Sequence, residues 1–226
     1  MKRSSTKSDE TRRRIYEAAL LRFRKSGFEA TTMRDIAKDA EVAIGGAYYY
    51  FPSKEAIVMA YYEETQRETS RLARAIFAKT DDPRERLGAT LHPKLDILAK
   101  DRKLLSALFR SIADPSEDLS VFGDKTRAIR EDSILLFDEA VAPATIAMDP
   151  DARRVLALAL WSLHMGLMLF FIRDASKGAA KTRALADQSL DLVATLLPMA
   201  PMLGPLIGTQ VAQVLGDAGL LRPGRN

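Results

Sequence analysis

Apolar residues recur every three or four positions along most of the chain, and no segment alternates between polar and apolar, so the pattern predicts helices throughout. Ile15, Ala18, Ala19 and Phe23 line one face of a first helix behind Ser8-Asp9-Glu10, which can cap its start, and Gly27 stops it. Thr32-Met33-Arg34-Asp35 offers a hydroxyl with a carboxylate three residues on, the opening of a second helix whose inner stripe is Ile36, Ala37 and Ala40. After a break at Ala40-Glu41-Val42, residues 43–50 form a helix too short to stand alone. Pro52-Ser53 ends it and starts a long helix to about Ala78. Beyond Asp81-Asp82-Pro83, helices are expected at about 84–99, 101–113, 119–141, 151–173 and 180–197, with breaks at Pro93, Pro115, Pro143 and Pro150. Residues 199–226, with Pro201, Gly204, Pro205 and Gly208, read as a tail holding one short helix from Thr209 to Leu215. The fold class is all-α.

Val155 to Ile172 is nearly all apolar and reaches the length of a membrane span. Ser162, His164 and Gly166 interrupt it and no second such run follows, so it reads as a helix buried on every side in a bundle or dimer, with no membrane partner. The net charge of +4 is unevenly spread: residues 1–54 hold 12 Lys/Arg against 7 Asp/Glu, the remainder 22 against 23. A basic front on a near-neutral body suits binding to a phosphate backbone, and a solvated tail would carry the same charge. Cys is absent, which excludes disulfides, thiolate metal sites and cysteine nucleophiles and fits a reducing cytoplasm. Met1-Lys2-Arg3-Ser4-Ser5 runs on into charge, unlike a signal peptide. With two distant His and no triad, phosphate loop or dinucleotide motif, neither an enzyme nor a metal or cofactor site is expected.

Three short helices before a capped long one make a plausible helix-turn-helix over about residues 31–50. Tyr48-Tyr49-Tyr50-Phe51-Pro52-Ser53-Lys54-Glu55 gathers phenols and an ammonium at one helix end, beside Gly45 and Gly46, which allow close backbone approach. Such groups hold phosphates, while side chains on a short helix read base edges. Tyrosines can instead form a core cluster with wet tips. Phe51 fits that description, but three successive tyrosines point about 100° apart and cannot all be buried.

Over about Thr11 to Tyr61 the sequence resembles the TetR family of transcriptional regulators. Ile15, Ala18, Ala19 and Phe23 match its first helix, followed at family spacing by Gly27-Phe28, Thr31-Thr32, Asp35-Ile36-Ala37 and the run from Gly45 to Glu55. The resemblance implies a helix-turn-helix DNA-binding domain at 8–68, a helical effector-binding and dimerisation domain at 69–198, and residues 199–226 as the tail. It makes Thr32, Tyr48 and Lys54 contacts to the DNA backbone and places Ile44, Gly45, Gly46, Tyr49 and Tyr50 on the recognition helix. Met33 and Arg34 reach the groove edge, Arg34 as the best candidate for a bidentate guanine reader. Two departures stand out: Glu41 where the family usually has Gly in the turn, and Ala43 where it usually has a Ser or Thr cap. A lost cap costs about 1 kcal/mol, and each glycine inside a helix about another 1 kcal/mol. The recognition helix is therefore expected to be weak and its sequence preference to lean on thymine methyls and DNA shape.

For the body, the resemblance implies a homodimer through helices at about 151–173 and 180–197, although both could be ordinary intrachain core. A dimer would set two recognition helices about 34–36 Å apart on a palindromic operator of double-stranded DNA. His92, Phe109, Phe122, Phe137, Trp161, His164, Met165 and Met168 are candidates for lining a mostly apolar effector pocket, or plain core. His164 stands out because a buried imidazole needs a partner. Three functions follow: a repressor released by its effector, a DNA-binding dimer that senses no ligand, and, least supported by the residues, an enzyme in the helical body.

Overall fold

The computed structural model describes residues 3–108 and 117–202, and every regular element among them is helical. These residues fall into two compact units: 3–65 with the described part of 100–130, and 66–99 with 131–202. The described part of 100–130, expected in the body, clusters with the first unit.

In the first unit α1 (Arg3–Ser26) begins several residues before the expected cap, since nothing in its basic start breaks a helix. Ile15, Ala19 and Phe23 are buried on its inner face, and Gly27, at φ +87°, turns the chain out. α2 (Met33–Asp39) opens with a complete capping box: the Thr32 hydroxyl accepts from the Asp35 amide at 3.2 Å, and the Asp35 carboxylate accepts from the Thr32 amide at 3.0 Å. α3 (Ile44–Tyr50) follows Ala43, which makes no side-chain cap, and α4 (Lys54–Phe77) is capped by the Ser53 hydroxyl, which accepts from the Ala56 amide. Buried Ala47 and Phe51 anchor α3. Arg22 grips Asp39 through two bonds at 2.6 and 2.7 Å, which fastens α1 to α2.

A 3₁₀ turn at Ala99–Asp101 leads into α6 (Arg102–Ala107), so the helix expected at 101–113 is described only in its first part. Asp101 is fully buried and accepts from Arg24 at 2.5 and 3.2 Å and from the Tyr61 hydroxyl at 2.7 Å. Burial, then the bond to that carboxylate, holds the Tyr61 phenol well above its usual range. The helix expected at 119–141 starts only at Arg127. Thr126 donates to the carbonyls of Ser120 and Gly123, and Arg130 donates to those of Val121 and Gly123, so side chains hold residues 120–126 in turns.

The second unit packs α5 (Pro83–Leu98), α7 (Arg127–Val141, from residue 131), α8 (Pro150–Arg173) and α9 (Ala180–Leu196) with the end of α4. Pro93 lies inside α5, where a break was expected. Buried Arg86 donates to the carbonyls of Phe77, Thr80, Glu139 and Ala140, satisfying the frayed ends of α4 and α7, and stacks over the Phe77 ring at 4.4 Å. Asp174 caps the turn into α9, accepting from Ser176 and Thr182, and these bonds hold its carboxyl well below the usual range. α8 is long and apolar enough to cross a membrane, yet half of its apolar window is buried within the protein. Its inner face carries Leu158, Trp161, His164 and Met168; Leu163, Leu169 and Phe170 face outward. Within one chain, then, the helix is two-faced rather than buried on every side. The expected short helix at 209–215 lies outside the described residues.

Candidate nucleic-acid interface

Elementary packing decides what α3 shows to solvent. Ala47 is its one buried residue, so the other side chains of this two-turn helix point away from the core. Tyr49 is 80 % exposed, Tyr48 50 % and Ile44 42 %, while Tyr50 is half-buried, sharing a hydrogen bond with Ser8 and meeting Tyr49 edge-on at 5.1 Å. A Cβ built on Gly45 or Gly46 would meet nothing within 4 Å, so neither glycine is required by the protein's own packing. Arg34, exposed on α2, makes no ion pair or hydrogen bond among the described residues, so its guanidinium offers five donors to a ligand. Thr32 is exposed at the start of α2, its hydroxyl engaged with Asp35 at 2.6 Å. That bond, and a second from the Thr32 amide, hold the Asp35 carboxyl below its ordinary value.

Two expected contacts sit differently. Met33 is only 6 % exposed and packs inward, because it falls on the stripe it shares with Ile36 and Ala37. Its side chain is therefore turned away from the solvent-facing side of α2. Lys54 donates to the Phe28 carbonyl at 2.9 Å and lies 4.5 Å from the Phe28 ring centroid, so its ammonium first serves the loop between α1 and α2. The turn before α3 shows why Glu41 stands out: it adopts φ +54°, a left-handed conformation that costs a non-glycine residue about 1 kcal/mol. Arg14 spans the turn, donating to the carbonyls of Ala40 at 2.5 Å and Glu41 at 3.2 Å. Arg12 stacks over Phe51 at 4.7 Å. Sequence reading missed both arginines, since only the fold brings α1 beside the turn.

The candidate effector residues do not form one group. Phe122 is exposed in the first unit, and Phe109 lies outside the described residues. His92 is half-buried on α5 and meets Asp187 at 3.1 Å, beside the Arg84 bonds to Asp187 and Asp191 that seam α5 to α9. Phe137, Trp161, His164 and Met168 are buried in the second unit, with Met165 half-buried, and the rings of Phe137 and His164 are 5.7 Å apart. The charge of Lys94 acts on His164, and Lys94 belongs to a polar cluster with Gln66, Ser70 and Asp132 that the sequence reading did not single out. The available signal was Lys94 itself, a cation interrupting the stripe of Leu87, Leu91, Leu95 and Leu98.

Comparison with known proteins settles the class. Residues 15–61 match the family described as bacterial regulatory proteins, tetR family, and residues 86–208 match the tetracyclin repressor-like C-terminal domain. The chain belongs to the TetR family. It is 32% identical over 149 residues to the HTH-type transcriptional repressor KstR of Rhodococcus jostii, a match covering 65% of either chain, slightly under two thirds of that relative's length. It is 25% identical over 204 residues to the HTH-type transcriptional regulator BetI of Agrobacterium fabrum, covering 88% of this chain and 95% of that one. Among solved structures, Thermus thermophilus FadR, described as a TetR-family transcriptional repressor in complex with lauroyl-CoA, superposes with a TM-score of 0.55 at 26% identity, covering 82% of this chain and 92% of that one. TetR-family membership places the chain among bacterial regulatory proteins.

Proposed function

We propose that this TetR-family protein is a homodimeric transcriptional repressor that binds a palindromic operator and is released by a small, mostly apolar effector. The observation that carries the DNA reading is the outward face of α2 and α3, where Arg34, Ile44, Tyr48 and Tyr49 are exposed around two glycines with open space above them. Tyr48 and the helix starts hold phosphates, Arg34 reads guanine, and the glycines let the α3 backbone approach the groove. Pairing of protomers is supported by the outer faces of α8 and α9, where Leu163, Leu169, Phe170, Leu185, Leu192 and Leu196 are exposed at helical spacing. A two-fold packing of these helices buries them and spaces the recognition helices for one turn of duplex. An apolar effector is supported by the buried Phe137, Trp161 and Met168, and by the lauroyl-CoA held by Thermus thermophilus FadR.

Selection of bound duplexes from a random pool tests the reading. An inverted repeat with half-sites about 10 bp apart, centre to centre, is expected, bound with a steep salt slope and weakened across all sequences by Tyr48→Phe. A pool with no enriched sequence, or one enriched in a single unpaired half-site, overturns it.

A further inference from the structure

The second unit contains a polar group that its structural duties do not exhaust. Lys94 on α5 donates to Gln66 Oε1 on α4 at 2.8 Å, its only hydrogen-bond partner among the described residues. Gln66 Nε2 in turn donates to Ser70 Oγ at 3.1 Å and to Asp132 Oδ2 on α7 at 3.2 Å, and Ser70 donates to the same carboxylate oxygen at 3.1 Å. Cation and carboxylate are thus joined through a neutral amide instead of directly. Asp132 is further shared with Arg74, 3.8 Å away, which itself grips Glu139. Burial pushes the Lys94 ammonium down to about 8, against the opposing pull of Asp132. The side chain nevertheless keeps part of its surface accessible.

His164 on α8, whose ring lies 5.7 Å from that of Phe137 on the helix that carries Asp132, is 4 % exposed, and its Nδ1 has no hydrogen-bond partner among the described residues. Burial, and next the charge of Lys94, keep this imidazole neutral. Buried nitrogens are rarely left unpaired, and a buried ammonium with one amide partner is incompletely compensated. A single anionic group would serve both. Trp161 and Met168 lie one turn to either side of His164 on the inner face of α8, and Phe137 packs against the imidazole, so the surroundings are apolar.

We propose that Lys94 and His164 form the polar end of the effector site and take the carboxylate of an amphipathic organic acid, whose hydrocarbon part lies against Phe137, Trp161 and Met168. The carboxylate gives the ammonium a charged acceptor and receives an N–H from His164 Nδ1. This deepens the effector-released reading and rests on it.

Calorimetric titration of the full chain with decanoate, methyl decanoate and decyltrimethylammonium tests the proposal. Decanoate binds, and the ester and the cation bind at least about tenfold more weakly. Lys94→Met weakens decanoate at least about tenfold and narrows its gap to the ester, with folding checked by circular dichroism. In the unsubstituted protein the ¹H–¹⁵N correlations of the His164 ring shift on addition of decanoate. Absence of decanoate binding, equal binding of all three probes, an unaltered Lys94→Met, or static His164 resonances each overturn the proposal. The selected operator separates the two readings: decanoate that binds through Lys94 but leaves DNA affinity unchanged sinks effector release and not the site. A compound that releases DNA equally from Lys94→Met sinks the site and not effector release.

Discussion

The two units depart from the ordinary pattern of apolar inside and polar outside in opposite ways. In the first, the buried charge of Asp101 is matched by Arg24 and Tyr61, the Tyr62 hydroxyl is the buried polar atom left without a partner among the described residues, and the surplus chemistry, Arg34, Tyr48 and Tyr49, points out. In the second, surplus chemistry lies inside, in Lys94 and His164, and surplus apolar surface lies outside, on α8 and α9. A wedge that keeps its shape against DNA, the role proposed for the first unit, needs its buried charge paired. A body proposed to accept a ligand and a second protomer can leave a buried polar pair and an apolar face for them to complete.

Substitutions can break this contrast. The largest effect is expected from Leu169→Glu combined with Leu192→Glu, which places like charges in the proposed dimer face and weakens association on the order of 4 kcal/mol. Light scattering should then report the 25.0 kDa chain alone, still helical; an unchanged mass would remove this face from the interface. Asp101→Ala, which leaves Arg24 and Tyr61 without their shared acceptor, should lower stability by about 3 kcal/mol in denaturant titration. A loss within about 0.5 kcal/mol would mean that the first unit does not depend on its internal pairing.

Lys94 gives the opposite sign. Its folded pKa of about 8 lies below the ordinary 10.5, so between those values the unfolded chain holds a proton that the folded chain has released. Stability should therefore rise with pH across that window, on the order of 2 kcal/mol, and the rise should vanish in Lys94→Met. Arg34→Ala should cost about 1–2 kcal/mol of DNA binding and relax preference at one base pair, with folding stability unaffected. Equal losses in both measurements would make Arg34 structural. The smallest effect is a gain: Glu41→Gly relieves the left-handed turn and should add about 1 kcal/mol of stability.

Much of the recognition unit was legible because its signals are local. Thr32 and Asp35 are three residues apart, Gly27 sits at a helix end, and three adjacent tyrosines cannot share one face, so caps, stops and an exposed edge follow from spacing. The burial of Met33 was equally legible, since it shares the inner stripe of Ile36 and Ala37. The start of α7 was lost to side-chain bonds from Thr126 and Arg130 that periodicity does not register.

By itself the sequence determined the helical class, the order of the first four helices and the edge they present, because capping, helix period and glycine stops act over a few residues. Only the tertiary structure decided that Arg14 braces the turn before α3, that α8 has one bare face, and that Lys94, Gln66 and Asp132 meet with His164 within range of the Lys94 charge. Those groups lie up to about a hundred residues apart in the chain, and what they do depends on burial and distance, which no local pattern of residues encodes.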